Sequence, residues 1–161
     1  MSSQPLFVRT HDSFEPASSA QVLSAARRLL AHRIRRGAPL TSPRQVREFL
    51  AFKLGDLDHE VFAVILVDSR HRVIEYVELF RGTVDGASVH PREVVKIALE
   101  KGAAACVLIH NHPSGVQDAS QSDELITRRL RDARALIDVR VLDHPIVAGA
   151  AVASFAEQGL L

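Results

Sequence analysis

Two histidines one residue apart, His110 and His112, close the apolar run Val107-Leu108-Ile109 and are the best-placed residues for chemistry in this sequence. On an extended segment the side chains at i and i+2 point to the same side, so both imidazoles face one way. Pro113-Ser114-Gly115 then turns the chain, and Ser120-x-x-Asp123 opens a helical pattern. The turn can bring a carboxylate back towards the two rings. Two His and one Asp converging near a strand end suit zinc, with one position left open for water. The arrangement predicts a zinc-dependent hydrolase with one zinc per chain. Each piece also has a plainer meaning. Closely spaced histidines are often incidental, and this chain has eight. Ser120-x-x-Asp123 ahead of an apolar helix is a capping box, worth about 1 kcal/mol for the cap. Asp123 can lie near a helix N-terminus and still bind metal, so the two meanings partly coexist.

The elements that must position these residues are legible from hydrophobic periodicity. Residues 61–67 are continuously apolar and predict a strand buried on both faces. Asp68-Ser69-Arg70-His71 reads as a turn, with residues 73–80 returning as the second strand of a hairpin. Residues 82–87, with two glycines, read as a loop. Residues 103–109 form the central strand that delivers the histidines. Short strands are expected at 139–142, 146–147 and 152–155. Helices are predicted over 21–36, from the Ser42-Pro43 cap and first-turn proline to about residue 54, from Pro91 to near Lys101-Gly102, and over 120–137. In the last of these, Leu125, Ile126, Leu130, Ala133, Leu136 and Ile137 share a stripe. Val94, Val95, Ala98 and Leu99 are expected to face inward on the third helix, and Val22, Leu23, Ala26, Leu29, Leu30 and Ile34 to share a face of the first. Residues 1–19 read as a loosely ordered arm. The fold class is α/β (α+β): a single mixed β-sheet flanked by helices, with an N-terminal helical extension.

At 161 residues the chain is long enough for a proper core, and 47% apolar with 24% charged residues is the composition of a globular protein. A net charge of +1 argues against a strongly electrostatic nucleic-acid binder. The single cysteine, Cys106, lies in an apolar run and is expected in the core. No apolar run approaches the ~20 residues of a membrane span, and the N-terminus lacks a signal-peptide layout. A cytoplasmic protein with no membrane contact is expected.

The spacing His-x-His, seven residues, Ser, two residues, Asp resembles that of the JAB/JAMM (MPN) metalloproteins. His110-Asn111-His112-Pro113-Ser114-Gly115 is similar to their RadC-like branch. Glu60, Leu79-Phe80-Arg81-Gly82-Thr83, Pro91-Arg92-Glu93-Val94 and Leu142-Asp143-His144 add to the likeness. It divides the chain into an N-terminal arm and helix, 1–40, and a RadC-like JAB/MPN domain, 41–161. It implies His110, His112 and Asp123 as zinc ligands and Glu60 as the general base that assists a zinc-bound water. It also implies Ser120 as the hydroxyl that steadies the tetrahedral intermediate, and a peptide or protein substrate cleaved at a peptide or isopeptide bond. Glu75 and Glu78 compete with Glu60 but sit inside a strand. His144 is expected to support the site or to be core, and His90 to cap the Pro91 helix. Val116 and Ala119 depart from the branch, which bears on the loop and not on the ligands. The helix-hairpin-helix module of longer members has no counterpart here, which weakens an expectation of DNA repair.

The alternative is a nucleic-acid-associated accessory protein with a largely structural metal site. It rests on Arg27, Arg28, Arg33, Arg35 and Arg36, and on Arg128, Arg129, Arg131 and Arg134. Weak nucleic-acid binding would follow. A nuclease reading of His-Asn-His needs a dispersed motif in another setting, and a deaminase needs paired zinc-binding cysteines that a one-cysteine chain lacks.

Overall fold

Seven consecutive apolar residues fix the centre of the fold: β3, Val61–Val67, is buried along its whole length. A strand apolar on both faces must be covered on both, and helices supply the cover. The computed structural model describes residues 5–10, 12–40, 42–82 and 89–161. The loop expected at 82–87 lies, beyond Gly82, outside the described residues.

β4, Val73–Arg81, returns antiparallel along β3, with Val61 opposite Arg81 and Leu66 opposite Glu75. The reversal is held by the Asp68 carboxylate, which accepts the backbone N–H groups of Arg70 and Arg72 at 2.9 Å each. On its other side β3 pairs antiparallel with β5, Ala105–Asn111, and Phe62 stands opposite His110. β6, Arg140–Asp143, and β7, Pro145–Ala148, both run parallel to β5. β8, Ala151–Ser154, closes the sheet antiparallel to β7. The sheet is therefore mixed, in the order β4-β3-β5-β7-β8 with β6 joined to β5. Phe155, expected as the end of the last strand, instead opens a short helix, α5, Phe155–Gln158, capped by the Ser154 hydroxyl.

The sheet divides the core in two. One face packs Val61, Ala63, Ile65, Val107 and Ile109 against Ile34 and against Phe49 and Leu50 of α2, Pro43–Leu54. The other packs Phe62, Val64, Leu66, Cys106 and Leu108 against Val94 and Ala98 of α3, Pro91–Glu100, and Leu130 of α4, Gln121–Ala135. Strand alternation thus places Cys106, Leu108, His110 and His112 on the α4 side. Cys106 is core as expected; burial pushes its thiol up to about 11, against the opposing pull of Arg134.

Several expectations are corrected. The N-terminal helix, α1, is Ser19–Arg33, starting earlier because Ser18 and Gln21 form a capping box, and its end gives way to a buried Ile34. Within the arm, β1, Phe7–Arg9, and β2, Phe14–Pro16, pair antiparallel. Leu23, Leu29 and Leu99 are exposed, as are Leu125 and Leu136. Of the stripe expected on α4, Leu130 is buried and Ile126 and Ile137 pack against the core, but Asp123, Thr127 and Arg134 are buried with them. The helix is rotated so that its polar first turns meet the histidines. Arg134, counted above with a basic surface, is fully buried and donates from Nη2 to the Val94 carbonyl at 3.2 Å. His90 occupies the N-cap of α3 without a side-chain cap bond; its ring stands edge-on to Phe80. Among the described residues no helix is long and apolar enough to cross a membrane.

Candidate metal centre

β5 ends at the point where its apolar side chains give way to imidazoles. His110 lies in the strand, and His112, one residue past it, prolongs the ladder by donating its backbone N–H to the Val147 carbonyl at 2.7 Å. Their rings are 5.0 Å apart and nearly perpendicular. Gly115, at φ 78°, turns the following loop, closing a bond from its N–H to the His112 carbonyl at 3.0 Å. The chain then enters α4, whose third residue, Asp123, points back at both rings. Its Oδ1 is 3.0 Å from His110 Nδ1 and its Oδ2 3.3 Å from His112 Nε2. One donor atom from each of the three lies within 4.8 Å of the others.

The protonation pattern favours a cation. His112 Nδ1 donates to the Val116 carbonyl at 2.8 Å, which can only accept. In the neutral ring Nε2 is then a bare lone pair, facing an equally electron-rich carboxylate oxygen at 3.3 Å. Either a proton or a metal ion must relieve that contact. Asp123 raises the His112 pKa through its hydrogen bond, burial opposes this, and the Val116 carbonyl reinforces it. Burial alone would raise the Asp123 pKa. Hydrogen bonds from His110, His112 and Ser120 outweigh it and hold the carboxyl well below the usual range. His110 Nε2 is buried without a hydrogen-bond partner and lies 3.6 Å from Glu60 Oε2. A three-donor set with bare ring nitrogens fits a divalent ion that accepts N and O ligands.

Ser120 is the N-cap of α4. Its hydroxyl donates to Asp123 Oδ2 at 2.6 Å and accepts the Asp123 N–H at 3.1 Å, and its own N–H donates to Asp123 Oδ2 at 2.8 Å. The capping box thus aims the carboxylate, and the helix N-terminus favours its charge. Glu60 directly precedes β3 and is brought to the site by the β3–β5 pairing. Glu75 and Glu78 are not brought there. Glu75 pairs with Lys101 and lies opposite Leu66, six residues along β3 and so about 20 Å away. Glu78 pairs with Lys53 of α2, on the other face of the sheet.

Of two further supports, one, His144, was expected beside the site or in the core, and the other escaped the sequence. His144 is fully buried beside Phe62 and Phe155, and burial, with His110 as the next cause, drives its pKa down to about 3. Thr127 donates its one hydroxyl proton to the Asp123 carbonyl at 2.5 Å, so the 2.6 Å contact with His144 Nδ1 must be donated by the imidazole. A neutral His144 therefore braces the first turn of α4. Only the Leu142-Asp143-His144 likeness hinted at it. The other support is Asn111, which sends its side chain to the opposite face of the sheet.

A family model described as the RadC-like JAB domain matches residues 40–160. The UPF0758 protein Tgr7_0100 of Thioalkalivibrio sulfidiphilus (strain HL-EbGR7) is 61% identical over 140 residues, covering 87% of this chain and 62% of its own length. UPF0758 proteins of Shewanella amazonensis (strain ATCC BAA-1098 / SB2B) and Marinobacter nauticus (strain ATCC 700491 / DSM 11845 / VT8) are each 54% identical, over 147 and 148 residues. These cover 89% and 90% of the chain but 65% and 66% of the relatives. The chain thus spans just under two-thirds of their length.

Proposed function

The chain belongs to the family of RadC-like JAB domains, and from that premise we propose that it is a zinc-dependent hydrolase of peptide or isopeptide bonds, acting in the cytoplasm. Family and donor set together support metal-dependent hydrolysis. The observation that carries the finer reading is the convergence of His110, His112 and Asp123 with the Glu60 carboxylate 3.6 Å from His110.

One zinc per chain would be held by His110, His112 and Asp123. Bound there, it supplies a Lewis acid that polarises the substrate carbonyl and acidifies water. Glu60 accepts the proton of the attacking water and returns it to the leaving amine. Ser120 steadies the negative charge that develops on the carbonyl oxygen. Its proton points at Asp123 in the resting chain, so this service requires the hydroxyl to turn to the substrate. Asp123 offsets part of the metal's charge and, through the capping box and Thr127, fixes where the third donor sits.

The test is a panel of peptide and isopeptide-linked substrates, offered to the zinc-loaded chain, the chelated chain and the chelated chain given zinc back. Turnover is expected in the first, lost in the second and regained in the third. Cleavage that persists through chelation would remove the metal from the mechanism.

Once Arg134 is set aside, the accessory reading rests on Arg27, Arg28, Arg33, Arg35 and Arg36 and on the exposed Arg128, Arg129 and Arg131 of α4. No acidic residue falls between Ala17 and Arg47, while the whole chain carries only +1. Binding to duplex DNA is therefore expected to be weak, and to fade as salt rises towards ~200 mM. Anisotropy titrations at two salt concentrations check this. Tight, sequence-selective binding at the higher one would make nucleic acid the principal partner.

A further inference from the structure

Asn111 lies between the two proposed ligands in sequence and faces away from both. It is 1% exposed, and its amide bonds on both its oxygen and its nitrogen to the entry into β3. Oδ1 accepts the Val61 N–H at 2.7 Å, and Nδ2 donates to the His59 carbonyl at 3.0 Å. The two bonds bracket Glu60 on either side along the chain. The carbonyl of Glu60 itself accepts the Gly82 N–H at 2.9 Å. The β3–β5 ladder begins only at Phe62 and His110. The side chain of Asn111 therefore takes over where strand pairing stops, and it needs both a donor and an acceptor to do so.

We propose that Asn111 is the positioning residue for Glu60. By clamping His59 and Val61 it sets the Glu60 carboxylate against His110, so one short segment fixes both the proposed ligands and the proposed base. The two histidines point to one face as donors, and the residue between them reaches through the other face to place the proton acceptor. This rests on the reading of Glu60 as the base, but the clamp itself can be read without substrate. Aspartate at this position would keep the acceptor for Val61 and lose the donor to His59. Alanine would lose both.

The experiment compares the wild-type chain, Glu60→Gln, Asn111→Ala and Asn111→Asp, all metal-free and labelled at the imidazole nitrogens. Melting curves establish that each is folded. The His110 Nε2 resonance reports the neighbouring carboxylate. It is expected to move in Asn111→Ala in the same direction as in Glu60→Gln, and by less in Asn111→Asp. The Val61 amide should exchange about tenfold faster in Asn111→Ala, the ratio expected for one lost buried hydrogen bond, and stay protected in Asn111→Asp. Should the alanine variant fail to fold, the aspartate variant carries the test through His110. An unmoved His110 resonance in the Asn111 variants, with a clear shift in Glu60→Gln, overturns the clamp and leaves the base standing. No shift in Glu60→Gln itself overturns the contact of Glu60 with His110, and with it both readings. A zinc titration adds a further discriminator. Affinity should hold in Asn111→Ala, and a loss of about 10–100-fold, the size usual for groups that orient ligands, would make Asn111 a support of the histidines instead.

Discussion

In a Glu60→Gln variant, hydrolysis is expected to fall by about 10²–10⁴-fold, the usual cost of losing general acid-base assistance. At the transition state that is roughly 3–5 kcal/mol. Glutamine keeps the length and most of the shape of glutamate while removing the proton acceptor, so the substitution separates proton transfer from packing. Zinc content should stay near one per chain, because the three donors that lie within 4.8 Å of one another do not include Glu60. Folding should change little, since the Glu60 side chain sits at the rim of the site, ahead of the first residue of β3. The measurement is turnover and bound zinc on the same preparations of wild type and variant. Retained metal with lost turnover supports the assignment. Undiminished turnover would sink it, and neither Glu75, held by Lys101 about 20 Å along the strand, nor Glu78, held by Lys53 on the other face of the sheet, could inherit the role in place. Lost zinc would make Glu60 part of the metal's own support.

Parts of this centre are legible in the sequence and parts are not. The shared face of His110 and His112 follows from strand alternation, and the strand from an apolar run covered on both sides; both are local facts and both hold. Asp123 was legible as a helix-entry carboxylate. That it also meets both rings depends on how the chain turns between residues 113 and 120, which spacing permits but does not dictate. Glu60 is a long-range matter: it reaches His110 only because β3 and β5 are neighbours, fifty residues apart in sequence. The inward face of α4 was read only in part, Leu130, Ile126 and Ile137 holding and Leu125 and Leu136 not, for a physical reason. Hydrophobic periodicity assumes that buried means apolar, whereas this helix buries Asp123, Thr127 and Arg134 and exposes Leu125 and Leu136. Polar groups sit inward where they have a site to build or a neighbour to brace, and a periodicity count discards that signal. The strands Phe7–Arg9 and Phe14–Pro16 were missed because three-residue strands leave too short an alternation to read.

Removing one imidazole tests the centre from the metal's side. In His112→Ala the remaining donors are His110 and Asp123, which leaves the ion with too few protein ligands to compete with water and buffer. The loss of affinity should exceed the 10–100-fold typical of losing an outer partner. The anchor is lost with the ligand, because His112 Nδ1 is the group that ties the ring to the Val116 carbonyl. The metal-free variant should nevertheless fold: β5 is held by its pairing with β3 and β7, and alanine at residue 112 still supplies the backbone N–H that bonds Val147. Zinc should therefore raise the melting temperature of the wild-type chain and leave that of the variant unchanged, since an ion stabilises only the state that binds it. Elemental analysis after dialysis gives the stoichiometry, expected near one for wild type and near zero for the variant. Equal zinc in the two, or an equal zinc-dependent rise in melting temperature, would mean that the ion is held elsewhere. The 3.3 Å contact between His112 Nε2 and Asp123 would then be a plain ion pair, relieved by a proton and never by a metal.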